Sequence, residues 1–170
     1  MSGIEVLRTQ RLILRHLNED DAAFVLELLN EPGFIGNIGD RGVRDLDGAR
    51  RYVTEGPGAS YQKYGYGLWA TVLRESGEVI GICGLVKREG LEDADVGYAF
   101  LERAWGKGYA QEAAAATLAH AREVIGLAKV VAITTPTNLG SIAVLEKIGM
   151  KAAGTVQLPG HAGESAYFTT

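Results

Sequence analysis

The segment from Asp95 to Ala110 constrains this chain more than any other. A run with strand character, Asp-Val-Gly-Tyr-Ala-Phe-Leu, passes through Glu102 into Arg-Ala-Trp-Gly-Lys-Gly-Tyr-Ala and straight into an alanine-rich stretch. Gly106 and Gly108 can take backbone conformations that other residues resist, so consecutive N–H groups can converge at the start of the following helix. A helix N-terminus of that kind holds a phosphate, and Lys107 adds a mobile positive charge beside it.

The stretch from Tyr109 to Val124 carries Ala110, Ala113, Ala114, Thr117, Leu118, Ala121 and Ile125 on one stripe, with Glu112, His120 and Glu123 off it. That spacing predicts a close-packed helix. Before it, Leu68 to Leu73, Glu78 to Val86 and Asp95 to Leu101 are rich in β-branched and aromatic residues. With turns at Glu75-Ser76-Gly77 and Glu89-Gly90 they predict an antiparallel meander.

Nearer the start, Arg11-Leu12-Ile13-Leu14-Arg15 alternates basic and apolar residues as a half-buried strand does. Asn18 caps a helix from about Glu19 to Leu29, Asn30 to Arg44 reads as a long loop, and a helical stretch from Asp47 is interrupted at Gly56-Pro57-Gly58 before Ser60 to Tyr64 resumes it. After the alanine-rich helix come a strand at Val130 to Thr134, a helix at Ser141 to Ile148 stopped by Gly149, and weak strands at Ala153 to Leu158 and Ser165 to Phe168. This order predicts an α+β domain with a mixed sheet, spanning 1–170 as a single unit.

The formal net charge of −4 gives no basic field for a nucleic-acid backbone. An anionic ligand therefore has to be drawn locally, which is feasible because screening removes most charges beyond ~10 Å. Cys83 is the only cysteine and sits in the apolar run from Val79 to Val86, which excludes an internal disulfide and predicts a buried strand residue. His16, His120 and His161 lack metal-ligand spacing, so no metal is expected. Met1 to Leu7 lacks signal-peptide character and no apolar run approaches membrane-span length, which makes the cytoplasm the expected location.

Arg103-Ala-Trp-Gly106-Lys-Gly108 resembles the (Gln/Arg)-x-x-Gly-x-(Gly/Ala) acyl-CoA signature of the GNAT superfamily of N-acetyltransferases. Asp-Val-Gly-Tyr, Trp-Gly-Lys-Gly-Tyr-Ala-x-Glu, Asn138-x-x-Ser141 and Glu146-Lys147-x-Gly149-Met150, with the opening Arg11 to Arg15 strand, further resemble the branch of ribosomal-protein N-terminal (alanine/serine) acetyltransferases. Five separated motifs in the family's order cover nearly the whole chain.

The resemblance implies a GNAT-like fold, a mostly antiparallel mixed sheet in which two parallel strands splay into a V. It implies acetyl-CoA as co-substrate, with pantetheine in the gap between the strand ending at Leu101 and that at Val130 to Thr134. Backbone groups near Phe100 and Leu101 are then expected to bind pantetheine, and amides across Arg103, Ala104, Trp105, Gly106, Lys107, Gly108, Tyr109 and Ala110 the pyrophosphate. Asn138 would face the pantetheine arm and Ser141 the thioester sulfur. Many superfamily members carry a tyrosine acid in the last helix; the matching position here is Leu145.

The implied reaction is acetyl transfer to a primary amine, of a protein N-terminus or a small molecule, in a ternary complex. At pH 7.4 a lysine-like amine with pKa ~10.4 costs about 4 kcal/mol to deprotonate and an N-terminal one about 0.5 kcal/mol. Asp95, where related enzymes often carry glutamate, is the candidate base, or else a solvated member of the acidic turn Glu92-Asp93-Ala94-Asp95. Ser141 is a candidate donor to sulfur or a helix cap, and Tyr98 a catalytic or a core residue. Asn37, Asp40 and Arg41, in the loop that runs to Arg44, are candidate acceptor-binding residues or else part of a solvated surface loop, with Tyr66 and Trp69 at the border. The competing function is a sensor that binds acyl-CoA or a metabolite without turnover. Related enzymes are often homodimers, and nothing in the sequence decides oligomeric state.

Overall fold

The structure is a computed structural model and describes residues 3–170. Its eight strands form one sheet: β1 (Glu5–Arg8), β2 (Leu12–Arg15), β3 (Leu68–Leu73), β4 (Val79–Val86), β5 (Asp95–Phe100), β6 (Val131–Thr134), β7 (Lys151–Val156) and β8 (Ser165–Thr169). They lie in the order β1-β2-β3-β4-β5-β6-β8-β7, and every neighbouring pair is antiparallel except β5 and β6. The α+β class, the meander and the mostly antiparallel mixed sheet expected from the sequence are all present. β1 is an addition; it pairs antiparallel with β2 on the side away from β3.

Alternation along the strands divides the core between the two faces of the sheet. On one face Leu14, Trp69, Cys83, Val96 and Phe100 pack with Ala113, Ala114 and Leu118 of α5 (Tyr109–His120) and Leu145 of α6 (Leu139–Lys147). The small residues of α5 let the helix lie close on the sheet, and Ala113, Ala114, Thr117 and Ala121 are fully buried. On the other face Ala70, Val72, Ile82 and Leu101 pack with Val25, Leu28 and Leu29 of α1 (Ala22–Leu29), Phe34 of α2 (Pro32–Asn37), and Ala49 and Val53 of α3 (Leu46–Val53).

Local chemistry explains most boundaries. Asn18 accepts from the Asp20 amide, and Asp21 accepts from the Asn18 amide, a reciprocal cap that starts a 3₁₀ turn leading into α1. Asp45 caps α3 through the Gly48 amide. Pro57 does not end the helical path after α3. Thr54–Gly58 widens into a π-type turn and α4 (Ala59–Tyr64) follows.

One expectation fails here. The segment read as an unbroken loop from Asn30 to Arg44 contains α2, with Pro32 in its first turn. Three glycines between 33 and 39 hide the periodicity; burial of Phe34 against α1 and the sheet stabilises the short helix instead.

Candidate active site

β5 and β6 are joined at a single bridge, Asp95 to Val131. Past it the two strands part, and a cleft of about 710 Å³ opens, lined by Gly97 to Phe100 on one side and Ile133 to Thr135 on the other. This is the splay expected from the sequence, and its volume falls in the range of small-molecule sites, roughly 300–1,000 Å³.

The β5 edge offers hydrogen-bonding groups to the gap. The Leu101 amide donates to the Ile80 carbonyl at 2.9 Å, so by alternation the backbone groups of Tyr98 and Phe100 point the other way, towards β6. Leu101 itself is fully buried on the α1 face with its amide engaged, so of the two expected backbone positions only Phe100 faces the gap. The Phe100 carbonyl already accepts from the Trp105 indole at 2.9 Å. That bond and the contact of the Trp105 ring with Gly33 fix the half-exposed tryptophan across the mouth of the cleft.

Beyond β5 a 3₁₀ turn occupies the amides of Ala104 and Trp105, which donate to Leu101 and Glu102 carbonyls. The chain then reverses at Gly106 and Gly108, whose φ of 76° and 82° are left-handed. α5 begins at Tyr109, and its first amides have no acceptor within the helix. The Arg103 guanidinium lies outside this nest, held by Glu27 at 2.7 Å and Glu78 at 2.8 Å. Lys107 is exposed, and its side chain is not part of the cleft wall.

A second network ties the loop to the sheet. Glu112 in the first turn of α5 accepts from the Thr9 hydroxyl, the Arg11 amide and the Arg11 guanidinium, while the same guanidinium donates to the Lys107 carbonyl at 2.9 Å. Burial works to raise the Glu112 pKa, but those donors outweigh it and hold the carboxyl below its ordinary value.

On the α5 face of the gap the Tyr98 phenol lies 3.0 Å from the Ser141 hydroxyl. Burial pushes the phenol up to about 12, so it is protonated at neutral pH. Asn138 is the cap of α6 through the Ser141 amide, and both line the cleft. Leu145, also in the wall, is buried and apolar.

Asp95 is on the opposite face, with Gly97 and Ala99. It is 1% exposed, which rules out the solvated reading. Its Oδ2 accepts from Arg88 Nε at 2.8 Å while Oδ1 is buried with no hydrogen-bond partner. Burial raises its pKa against the opposing pull of Arg88. Asn37 and Arg41 reach the cleft on this side; Asp40 instead pairs with Arg44 at 2.6 Å. Tyr66 and Trp69 are core residues of the α5 face, the latter edge-on to His120, and neither lines the cleft. Their aromatic character reflects packing.

Arg88 and Tyr52 in this arm were not anticipated. Arg88 was legible in principle: Val86 is opposite Asp95 in the β4–β5 hairpin, and a residue two positions on returns to the same face.

The family model for the acetyltransferase (GNAT) domain matches residues 11–151. The chain belongs to the GNAT acetyltransferase family. Protein YkkB of Bacillus subtilis is 35% identical, over 92% of this chain and 91% of its own. An acetyltransferase from Agrobacterium tumefaciens superposes with a TM-score of 0.83 at 28% identity, over 100% of this chain and 95% of that one. RimL, a ribosomal L7/L12 α-N-protein acetyltransferase solved with coenzyme A, reaches a TM-score of 0.83 at 18% identity over 98% and 97% of the two chains, a likeness of fold. GNAT enzymes take their acetyl group from acetyl-CoA. No helix among the described residues is long and apolar enough to cross a membrane, and no metal-ligand cluster occurs among them.

Proposed function

We propose that this GNAT chain acetylates a primary amine, of a protein N-terminus or a small molecule, by direct attack in a ternary complex with acetyl-CoA. The observation that carries the reading is the cleft itself. It passes through the parting of β5 and β6, so two ligands can meet there from opposite faces of one sheet.

The residues on the α5 face fit coenzyme A. Amides from Gly106 to Ala110 hold the pyrophosphate at the start of α5, joined by the Lys107 charge. Arg103 positions the loop through its two carboxylates rather than meeting phosphate with its side chain. The outward-facing amides of Tyr98 and Phe100 serve the pantetheine and the carbonyl oxygen on which charge develops. Asn138 fixes α6 so that Ser141 faces the sulfur. Bound there, acetyl-CoA supplies an acyl group already activated as a thioester.

The amine enters from the α2 and α3 side, its nitrogen–carbon bond forming as the carbon–sulfur bond breaks. Asp95 takes the amine's proton, directly or through one water; its raised pKa makes it a stronger base than an ordinary carboxylate. Ser141 delivers a proton to sulfur and Tyr98 supports it, a role that apolar Leu145 cannot fill. The whole chain acts as one domain in this account.

Initial-rate kinetics test the ternary complex. Double-reciprocal lines for the two substrates should intersect; parallel lines would indicate a covalent acetyl-enzyme instead.

A further inference from the structure

The acceptor arm is cationic in a chain whose net charge is −4. Asp95 is the only acidic residue in the cleft wall, and Arg88 already neutralises it. Arg41 stands in the same arm. Its neighbour Arg44 is held by Asp40 and Asn30, whereas Arg41 forms no ion pair or hydrogen bond with any described residue. Tyr52 lines the same cleft: the positive charges of Arg41 and Arg88 both bear on its phenol, whose hydroxyl is likewise without a hydrogen-bond partner among the described residues. Ile38, Leu68 and Val86 give the rest of the arm an apolar surface.

Resting on the acetyltransferase reading, we propose that the acceptor is a small primary amine bearing an oxyanion, a carboxylate or phosphonate, and an apolar body. Arg41 and the Tyr52 hydroxyl receive the oxyanion, while Asp95 receives the amine. A guanidinium presents a planar set of donors that fits an oxyanion, and both donors here have that capacity unspent. The arrangement disfavours polycationic acceptors, for which a wall with two arginines and one already-paired carboxylate is repulsive.

The test compares α- and ω-amino acids of increasing spacer length, leucine among them, and the phosphonate analogue of leucine, each with its uncharged amide or ester, by thiol release from acetyl-CoA. In parallel, calorimetry measures their binding to the CoA-loaded chain. Oxyanion-bearing amines should be preferred about tenfold or more, the scale of one charge-assisted hydrogen bond. The carboxylate and phosphonate arms say which oxyanion is taken. Arg41→Gln should abolish that preference and raise the acceptor KM while leaving the acetyl-CoA KM in place. Equal or better use of the amides, of spermidine or of cationic peptides overturns the proposal, as does an Arg41→Gln effect confined to the acetyl-CoA KM. Oxyanion-selective binding without turnover on any amine would leave the pocket standing and remove the transferase; turnover without that selectivity does the reverse.

Discussion

The phenol of Tyr98, on β5, and the hydroxyl of Ser141, in the first turn of α6, sit 3.0 Å apart across the gap where β5 and β6 separate. In the proposed reaction neither residue alone fills the place of a helix tyrosine, but together they would put a protonated donor chain where the thiolate leaves. Tyr98→Phe and Ser141→Ala should each lower kcat by about 10²-fold, with the acetyl-CoA KM little changed. The double variant should cost less than the product of the two, because each breaks the same chain. Rates that multiply independently would separate the two hydroxyls.

Asp95 should leave a mark on stability as well as rate. Burial raises its pKa in the fold, so the folded chain holds a proton that the unfolded chain has released once pH exceeds about 4. Stability therefore falls as pH rises from there through the raised native value. Asp95→Asn removes that loss, so its Tm relative to the parent should climb as pH rises above about 4, while its turnover drops by about 10²-fold. Thermal scans across pH with parallel kinetics check both signs.

Glu112 acts, through Arg11, on the loop proposed to hold the cofactor. Glu112→Ala strands the Thr9 and Arg11 donors and frees the guanidinium that steadies the Lys107 carbonyl. Coenzyme A affinity, read by titration calorimetry, should fall about tenfold, a loss comparable to one charge-assisted hydrogen bond. The acceptor KM should move far less.

Cys83 should be silent. Its thiol is fully buried beside Thr117 and burial pushes it up to about 12, far from a nucleophile's range. Cys83→Ala should turn over like the parent and lose about 1 kcal/mol of stability to the small cavity. Thiol reagents should not label the folded parent.

The glycine turn ahead of α5 was legible because its signal is local: two glycines and a helix start are contiguous in sequence. The meander and the alanine stripe were legible because their periodicities are clean. What escaped lay in tertiary contacts. α2 is stabilised by the burial of Phe34 rather than by its own glycine-rich segment, and Tyr66 and Trp69 looked like pocket aromatics although they pack under α5. The fate of Asp95 depended on Arg88 across a hairpin, and that of Arg41 on the lack of a partner among the described residues, neither of which a linear pattern displays.

Thiol release from acetyl-CoA across a panel of amines and N-terminal peptides reports whether this cleft transfers acetyl groups. Gly108→Glu is the control, since a side chain strains the left-handed turn and its carboxylate repels the pyrophosphate. Amine-dependent thiol release that disappears in Gly108→Glu is the predicted result. Tight coenzyme A binding with no turnover on any amine would contradict the account and make the chain a sensor.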